Sequence, residues 1–116
     1  IKALRRSAHR GAQIQVITHD TERRAPEAAL ALLTEAGIRV QRYRHPEGLP
    51  MHYKFALVQG PGGSRVAFGS LNMNRRARLW NHELLAISEN PALVEAFRGC
   101  WEALCQSFYL VPERKP

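Results

Sequence analysis

The sequence predicts an α/β domain in which helices are layered on a mixed β-sheet. Three observations predict it. A β-rich run, a helical apolar stripe and a cleanly alternating run succeed one another across residues 13–43. Two further β-rich runs, joined by a glycine-rich turn, occupy residues 52–69, and a long amphipathic stretch fills residues 91–108. Strand-helix-strand order followed by a hairpin and a closing helix implies a sheet that mixes pairing directions, and the apolar content of the strands implies burial on both faces.

Taken in order, residues 1–10 set Ile1, Leu4 and Ala8 at helical spacing among basic residues, and Gly11 supplies the stop. Residues 13–18 form a strand, which His19, Asp20 and Thr21 turn the chain out of. Pro26 suits the first turn of a helix over residues 22–36, whose buried stripe is Ala29, Leu30, Leu32, Leu33 and Ala36, with Gly37 at its end. Residues 38–43 alternate as a strand with one polar face, and residues 45–50 form a loop. Strands at residues 52–59 and 65–69 are joined by the hairpin-type turn Gly60-Pro61-Gly62-Gly63-Ser64. Residues 72–79 read as irregular or a short helix, residues 82–88 as a strand, and residues 91–108 as a helix capped by Ser88 or Asn90.

With 116 residues and 45% apolar content, the chain makes one domain over residues 1–111, with residues 112–116 as a tail or linker. The opening Ile1-Lys2-Ala3-Leu4-Arg5-Arg6 reads as the middle of a helix, which predicts a fragment of a longer protein. Seventeen Lys plus Arg against ten Asp plus Glu give +7, a surplus that favours phosphate-bearing partners, whether nucleic acid or anionic lipid headgroups. No run approaches the ~18 apolar residues of a membrane span. Cys100 and Cys105, five apart in a helical pattern, match neither a metal-ligand spacing nor a disulfide framework.

Chemistry concentrates between residues 52 and 83. His52 and Lys54 are two apart in a strand-like run, so a β-strand projects imidazole and ammonium from one face. Ser70 and Asn72 repeat the spacing at the end of the next run, and Asn81 and Glu83 repeat it again, adding a carboxylate suited to orienting an imidazole. The combination is a phosphate-handling constellation. His9, His19, His45 and His82 form no ligand cluster with it, and Gly60-Pro61-Gly62-Gly63 lacks the following Lys-Ser or Lys-Thr helix that a phosphate loop needs. Trp80 and Trp101 read as core or cleft-wall residues.

The order His52-Tyr53-Lys54, then Gly69-Ser70-Leu71-Asn72, then Asn81-His82-Glu83 resembles the phospholipase D superfamily, whose signature is His-x-Lys, four residues, Asp, then Gly-Ser-x-Asn. Gln59 stands where that family has Asp, an odd number of residues from 52 and 54, so an unbroken strand turns it away from the imidazole. The resemblance implies a layered α/β/α fold and catalysis by His52, Lys54, Ser70, Asn72 and Glu83. It implies no cofactor and no metal, since imidazole itself can attack phosphorus. Glu83 is then the candidate acceptor for the second imidazole N-H, Lys54 a point charge on the phosphoryl oxygens, and Ser70 and Asn72 donors to those oxygens or holders of the lysine.

Arg75, Arg76, Arg78 and Asn81 follow the Gly-Ser-x-Asn segment and are the candidate headgroup or backbone-phosphate binders, because guanidinium groups grip phosphate in a fork. The resemblance also implies that two motif copies meet at a shared cleft. A second such domain in the same chain, or a homodimer, is therefore an expected partner. The implied function is phosphatidyl transfer or hydrolysis of the cardiolipin synthase or phospholipase D type at a membrane surface, as in bacterial lipid-acting members. The competing readings are a nuclease of the same superfamily, with nucleic acid as the partner, and a catalytically silent phosphate- or membrane-binding module.

Overall fold

The computed structural model describes residues 1–20, 27–70 and 82–111. In chain order the elements are α1 (Lys2–His9), β1 (Gln15–His19), α2 (Glu27–Glu35), β2 (Arg39–Tyr43), β3 (Phe55–Gly60), β4 (Gly63–Gly69), β5 (Leu85–Ser88), α3 (Pro91–Cys105) and β6 (Leu110–Val111). The fold is α/β with both pairing directions, as the sequence implies. The chain divides into two compact units: one is Ile1–Met51 with the segment from Phe108 onward, the other His52–Ser107.

The first unit holds a three-stranded mixed sheet in the order β1-β2-β6. β1 and β2 run parallel, Val16 opposite Val40, because α2 carries the chain back across the sheet between them. Directly opposed residues share a face. Val16 and Val40 accordingly pack in one cluster with Leu4 and Ala8 of α1, Ile14 and Ala36, around buried Leu30, Leu33 and Ile38. Ile38 is only 2% exposed, and full burial of such a side chain is worth about 1.5–3 kcal/mol.

β6 lies antiparallel to β2, Tyr43 opposite Leu110, and the Arg44 N-H donates to the Tyr109 carbonyl at 2.8 Å. The sequence expectation of a helix running to residue 108 is corrected here: α3 stops at Cys105, and residues 110 and 111 are extended. Too short to alternate, a two-residue strand leaves no periodic signal.

At the C-terminal end of this sheet, Asp20 receives Arg44 Nε at 2.7 Å and Arg42 Nη1 at 3.4 Å, and Arg42 Nη2 donates to both Glu27 oxygens at 2.7 Å. Burial pushes the Asp20 carboxyl up, but the hydrogen bonds from Arg44 and Arg42 and the attraction of both guanidinium groups overcome it and hold the group below the ordinary carboxylate range.

The second unit is an antiparallel meander in the order β3-β4-β5. Pro61 and Gly62 make the turn between paired Gly60 and Gly63, as the sequence anticipates. Phe55 and Phe68 oppose each other on one face and both meet Phe97 of α3, with ring centroids 5.1 and 4.9 Å away. Val66, wholly buried, lies two residues from Phe68 on that face, and α3 adds buried Val94 and Leu104. Asn90 caps α3, its side chain accepting from the Ala92 and Leu93 N-H groups, with Pro91 at the first helical position.

The opposite face carries exposed Val58, Leu85 and Ile87. The predicted strand at residues 52–59 starts only at Phe55, and that at residues 82–88 only at Leu85. The expected start of the second helix and the readings for residues 72–79 and 112–116 fall outside the described residues, as does Trp80.

The Asp20 pair makes stability pH-dependent with a definite sign. A carboxyl lowered on folding contributes above its unfolded value of about 3.9 and loses that contribution as pH falls through its folded value. Urea midpoints should therefore show Asp20→Asn less stable than the parent near neutrality, with the gap closing as pH falls below about 4. A gap unchanged down to the acid limb would show that the charge contributes nothing.

Candidate active site

The three motif segments meet at one end of the β3-β4-β5 sheet. Beyond the last regular pair, the Gly69 N-H donates to the Lys54 carbonyl at 3.2 Å, and the Ser70 N-H donates to the Leu84 carbonyl at 3.0 Å. His-x-Lys, Gly-Ser and the Glu83 segment are thus joined by main-chain bonds around β4. His52 and Lys54 precede β3 instead of lying within it. β4 ends at Gly69 and the Ser70 N-H points to Leu84, so regular β3-β4 pairing stops at Phe55 and Phe68.

Gly69 makes this possible. Its φ is +156°, and a Cβ placed there would stand 2.0 Å from the Leu84 carbonyl oxygen and 2.9 Å from its carbon. Those are backbone atoms, fixed by the β4-β5 register that pairs Gly69 with Leu85. Any larger residue must push the Glu83-Leu84 segment away from Ser70.

The Ser70 hydroxyl donates to the Glu83 carboxylate and accepts from the Leu84 N-H at 3.0 Å. A hydroxyl has one hydrogen and two lone pairs, and a carboxylate only accepts. With its hydrogen given to Glu83, Ser70 offers one remaining lone pair, which suits it to hold a cation or an N-H better than to donate to a phosphoryl oxygen. The Lys54 ammonium donates to the His52 main-chain carbonyl at 2.9 Å, folding the lysine beside the imidazole's own backbone. Among the described residues, Glu83 is hydrogen-bonded to Ser70, and no hydrogen bond joins it to His52.

Of the sequence-predicted residues, His52, Lys54, Ser70 and Glu83 are placed in this cluster of segments. Asn72, Arg75, Arg76, Arg78 and Asn81 lie outside the described residues. Gln59 sits in β3 opposite Ser64, and alternation puts it with Phe55 and Leu57, away from the face of Ala56 and Val58. The contribution of Leu84, whose main chain contacts both Gly69 and Ser70, is invisible to side-chain motif reading. Only the glycine before Ser70 could have signalled it.

An α/β fold with a His-x-Lys segment bound edge to edge to a Gly-Ser step defines a protein of the phospholipase D type. The chain belongs to the family described as cardiolipin synthase, PLD-like domain, whose model matches residues 1–104. It is 33% identical over 99 residues to the mitochondrial cardiolipin hydrolase of Xenopus tropicalis, covering 85% of this chain and 45% of that protein. The Danio rerio protein of the same name is 35% identical over 98 residues, covering 81% of this chain and 41% of that one. The chain therefore spans less than half the length of these relatives.

Replacing Gly69 by Ala should cost about 1–3 kcal/mol in backbone strain alone and more through displacement of Leu84. Hydrogen exchange should report it locally, with the Ser70 and Gly69 amides losing protection while Val66 keeps its own. Unaltered protection at Ser70 would mean that the close approach is not what fixes the site.

Proposed function

We propose that this chain supplies one motif of a two-motif enzyme that cleaves or transfers a phosphodiester of a phospholipid through a phosphohistidine. The observation that carries this reading is the main-chain joining of the His52-Lys54, Gly69-Ser70 and Glu83-Leu84 segments in a chain of this family. The relatives' name, mitochondrial cardiolipin hydrolase, supports a phospholipid as substrate and a membrane as its setting.

In the first step His52 attacks phosphorus, forming an N-P bond as the P-O bond to the leaving alkoxide breaks. That alkoxide takes a proton from an acid. Water or an alcohol then attacks phosphorus, passing its proton to the group that served as acid, as the N-P bond breaks and releases His52. The attacking nitrogen has a free lone pair only while the other ring nitrogen carries the proton. Lys54 balances charge on the non-bridging oxygens. Glu83 acts through Ser70 as a positioning residue, fixing the hydroxyl so that its free lone pair faces the His52-Lys54 segment. Asn72 completes the donor set, and Arg75, Arg76, Arg78 and Asn81 bind the headgroup.

One histidine cannot be nucleophile and acid in the same instant, so a second copy of the motif supplies the acid, from the same parent chain or from a homodimer. The exposed apolar side chains Val58, Leu85 and Ile87 support a second copy as partner, because strand register puts them on the face that continues to Lys54.

Full-length protein incubated with phosphate-labelled phosphatidylglycerol should acquire acid-labile label on histidine, and His52→Ala should abolish both label and turnover. Lys54→Ala should lower turnover by about 10²- to 10³-fold. Ser70→Ala and Glu83→Gln should be strongly non-additive, the double substitution costing little more than either alone. Label and turnover with DNA but not with lipid would assign the nuclease reading. Absence of both label and turnover with either substrate would leave a silent binding module.

A further inference from the structure

The first nineteen residues contain Lys2, Arg5, Arg6 and Arg10 and no carboxylate; the first acid of the chain is Asp20. Within α1, Lys2, Arg5, Arg6 and His9 recur at i, i+3, i+4 and i+7, which gathers them on one helical face. The opposite face is accounted for, since Leu4 and Ala8 pack on the first unit's core cluster. Docked through its apolar side, the helix presents its cations outward. Lys2, Arg6, His9 and Arg10 are exposed and Arg5 half-buried. The four stripe residues line an open depression of about 330 Å³, and none of the ion pairs among the described residues engages any of these side chains.

We propose that this stripe is a docking surface for an anionic bilayer, separate from the His52 cluster and binding lipid phosphates that are not being cleaved. From Lys2 to His9 the stripe runs about 10 Å along the axis, at about 1.5 Å per residue. It is a line of cations that meets a plane of phosphates without insertion. An inserting interfacial helix must bury its apolar face in acyl chains, and in α1 that face is already spent on Leu30, Leu33 and Ile38.

One observation, together with the proposed function, favours lipid over nucleic acid. α1 itself holds no Phe, Tyr or Trp, so the helix brings no ring of its own on which bases could stack, the usual anchor of single-strand binding. The lipid reading of the catalytic site also places the substrate in a bilayer, and the choice of bilayer over nucleic acid rests in part on that reading.

Each Lys or Arg held near an anionic surface strengthens adsorption about fivefold. The full-length protein should therefore co-sediment with phosphatidylcholine vesicles doped with phosphatidylglycerol and not with phosphatidylcholine alone. Raising salt should weaken the binding, since a Debye length of about 8–10 Å screens the stripe. Lys2→Gln with Arg6→Gln should reduce partitioning on the order of 25-fold, whereas Lys2→Arg with Arg6→Lys should retain it. Arg5 is left unaltered because it is half-buried.

Hydrolysis of a soluble short-chain phospholipid by the Gln pair should match the parent, separating this surface from the catalytic site. If the Gln pair binds doped vesicles as tightly as the parent, or loses duplex oligonucleotide binding while keeping vesicle binding, the proposal is overturned. Should His52→Ala leave turnover intact while vesicle binding still depends on Lys2 and Arg6, the catalytic reading fails and the docking surface stands.

Discussion

The approach of Gly69 to the Leu84 carbonyl is the contact on which the candidate site depends. An antiparallel ladder sets strand spacing from its own hydrogen bonds and leaves no choice about how closely two backbones lie. At Gly69 the register with Leu85 brings Leu84 so near that a single methyl group would stand 2.0 Å from its oxygen. Where glycine is accepted, the next residue falls into place: the Ser70 N-H reaches Leu84, and its hydroxyl reaches Glu83. The spacing from Gly to Ser in the motif is thus a statement about backbone geometry before it is one about catalysis.

What the sheet contributes to chemistry is preorganisation. Lys54, Gly69, Ser70 and Leu84 are joined by main-chain bonds, and the same strands are clamped from the other face by the Phe55, Phe68 and Phe97 cluster. Placing reactive groups at the end of a packed sheet keeps them exposed to substrate while their backbones stay fixed. Ser70 illustrates how far such placement constrains role. With its one hydrogen committed to the Glu83 carboxylate and one lone pair taken by the Leu84 N-H, its hydroxyl has a single lone pair left to offer.

Much of the architecture was legible because its signals are local and periodic. Gly60-Pro61-Gly62-Gly63 announced a hairpin, Asn90-Pro91 a helix start, and the stripe of Leu30 and Leu33 a buried helical face. Misses arose where a partner strand decided the outcome. His52 and Lys54 carry the alternation of a strand, yet lie outside β3 because β4 ends at Gly69. β6 owes its existence to β2, not to its own two residues. Within the site, side-chain spacing singled out His52, Lys54, Ser70 and Glu83, whose segments main-chain bonds join, but gave no sign of the hydrogen bond between Ser70 and Glu83. Parity within a strand cannot say which of two neighbours across a turn a carboxylate will reach.

The claim that these segments form one phosphate-sized site is tested most directly by a crystal structure of the full-length protein grown with tungstate, a tetrahedral oxyanion of phosphate's shape and charge. The account predicts the anion within hydrogen-bond reach of His52 and Lys54, beside the Gly69-Ser70 end of β4, with Ser70 still bound to Glu83. An anion seated elsewhere, with the His52 imidazole and the Ser70 hydroxyl too far apart to share it, would contradict the account.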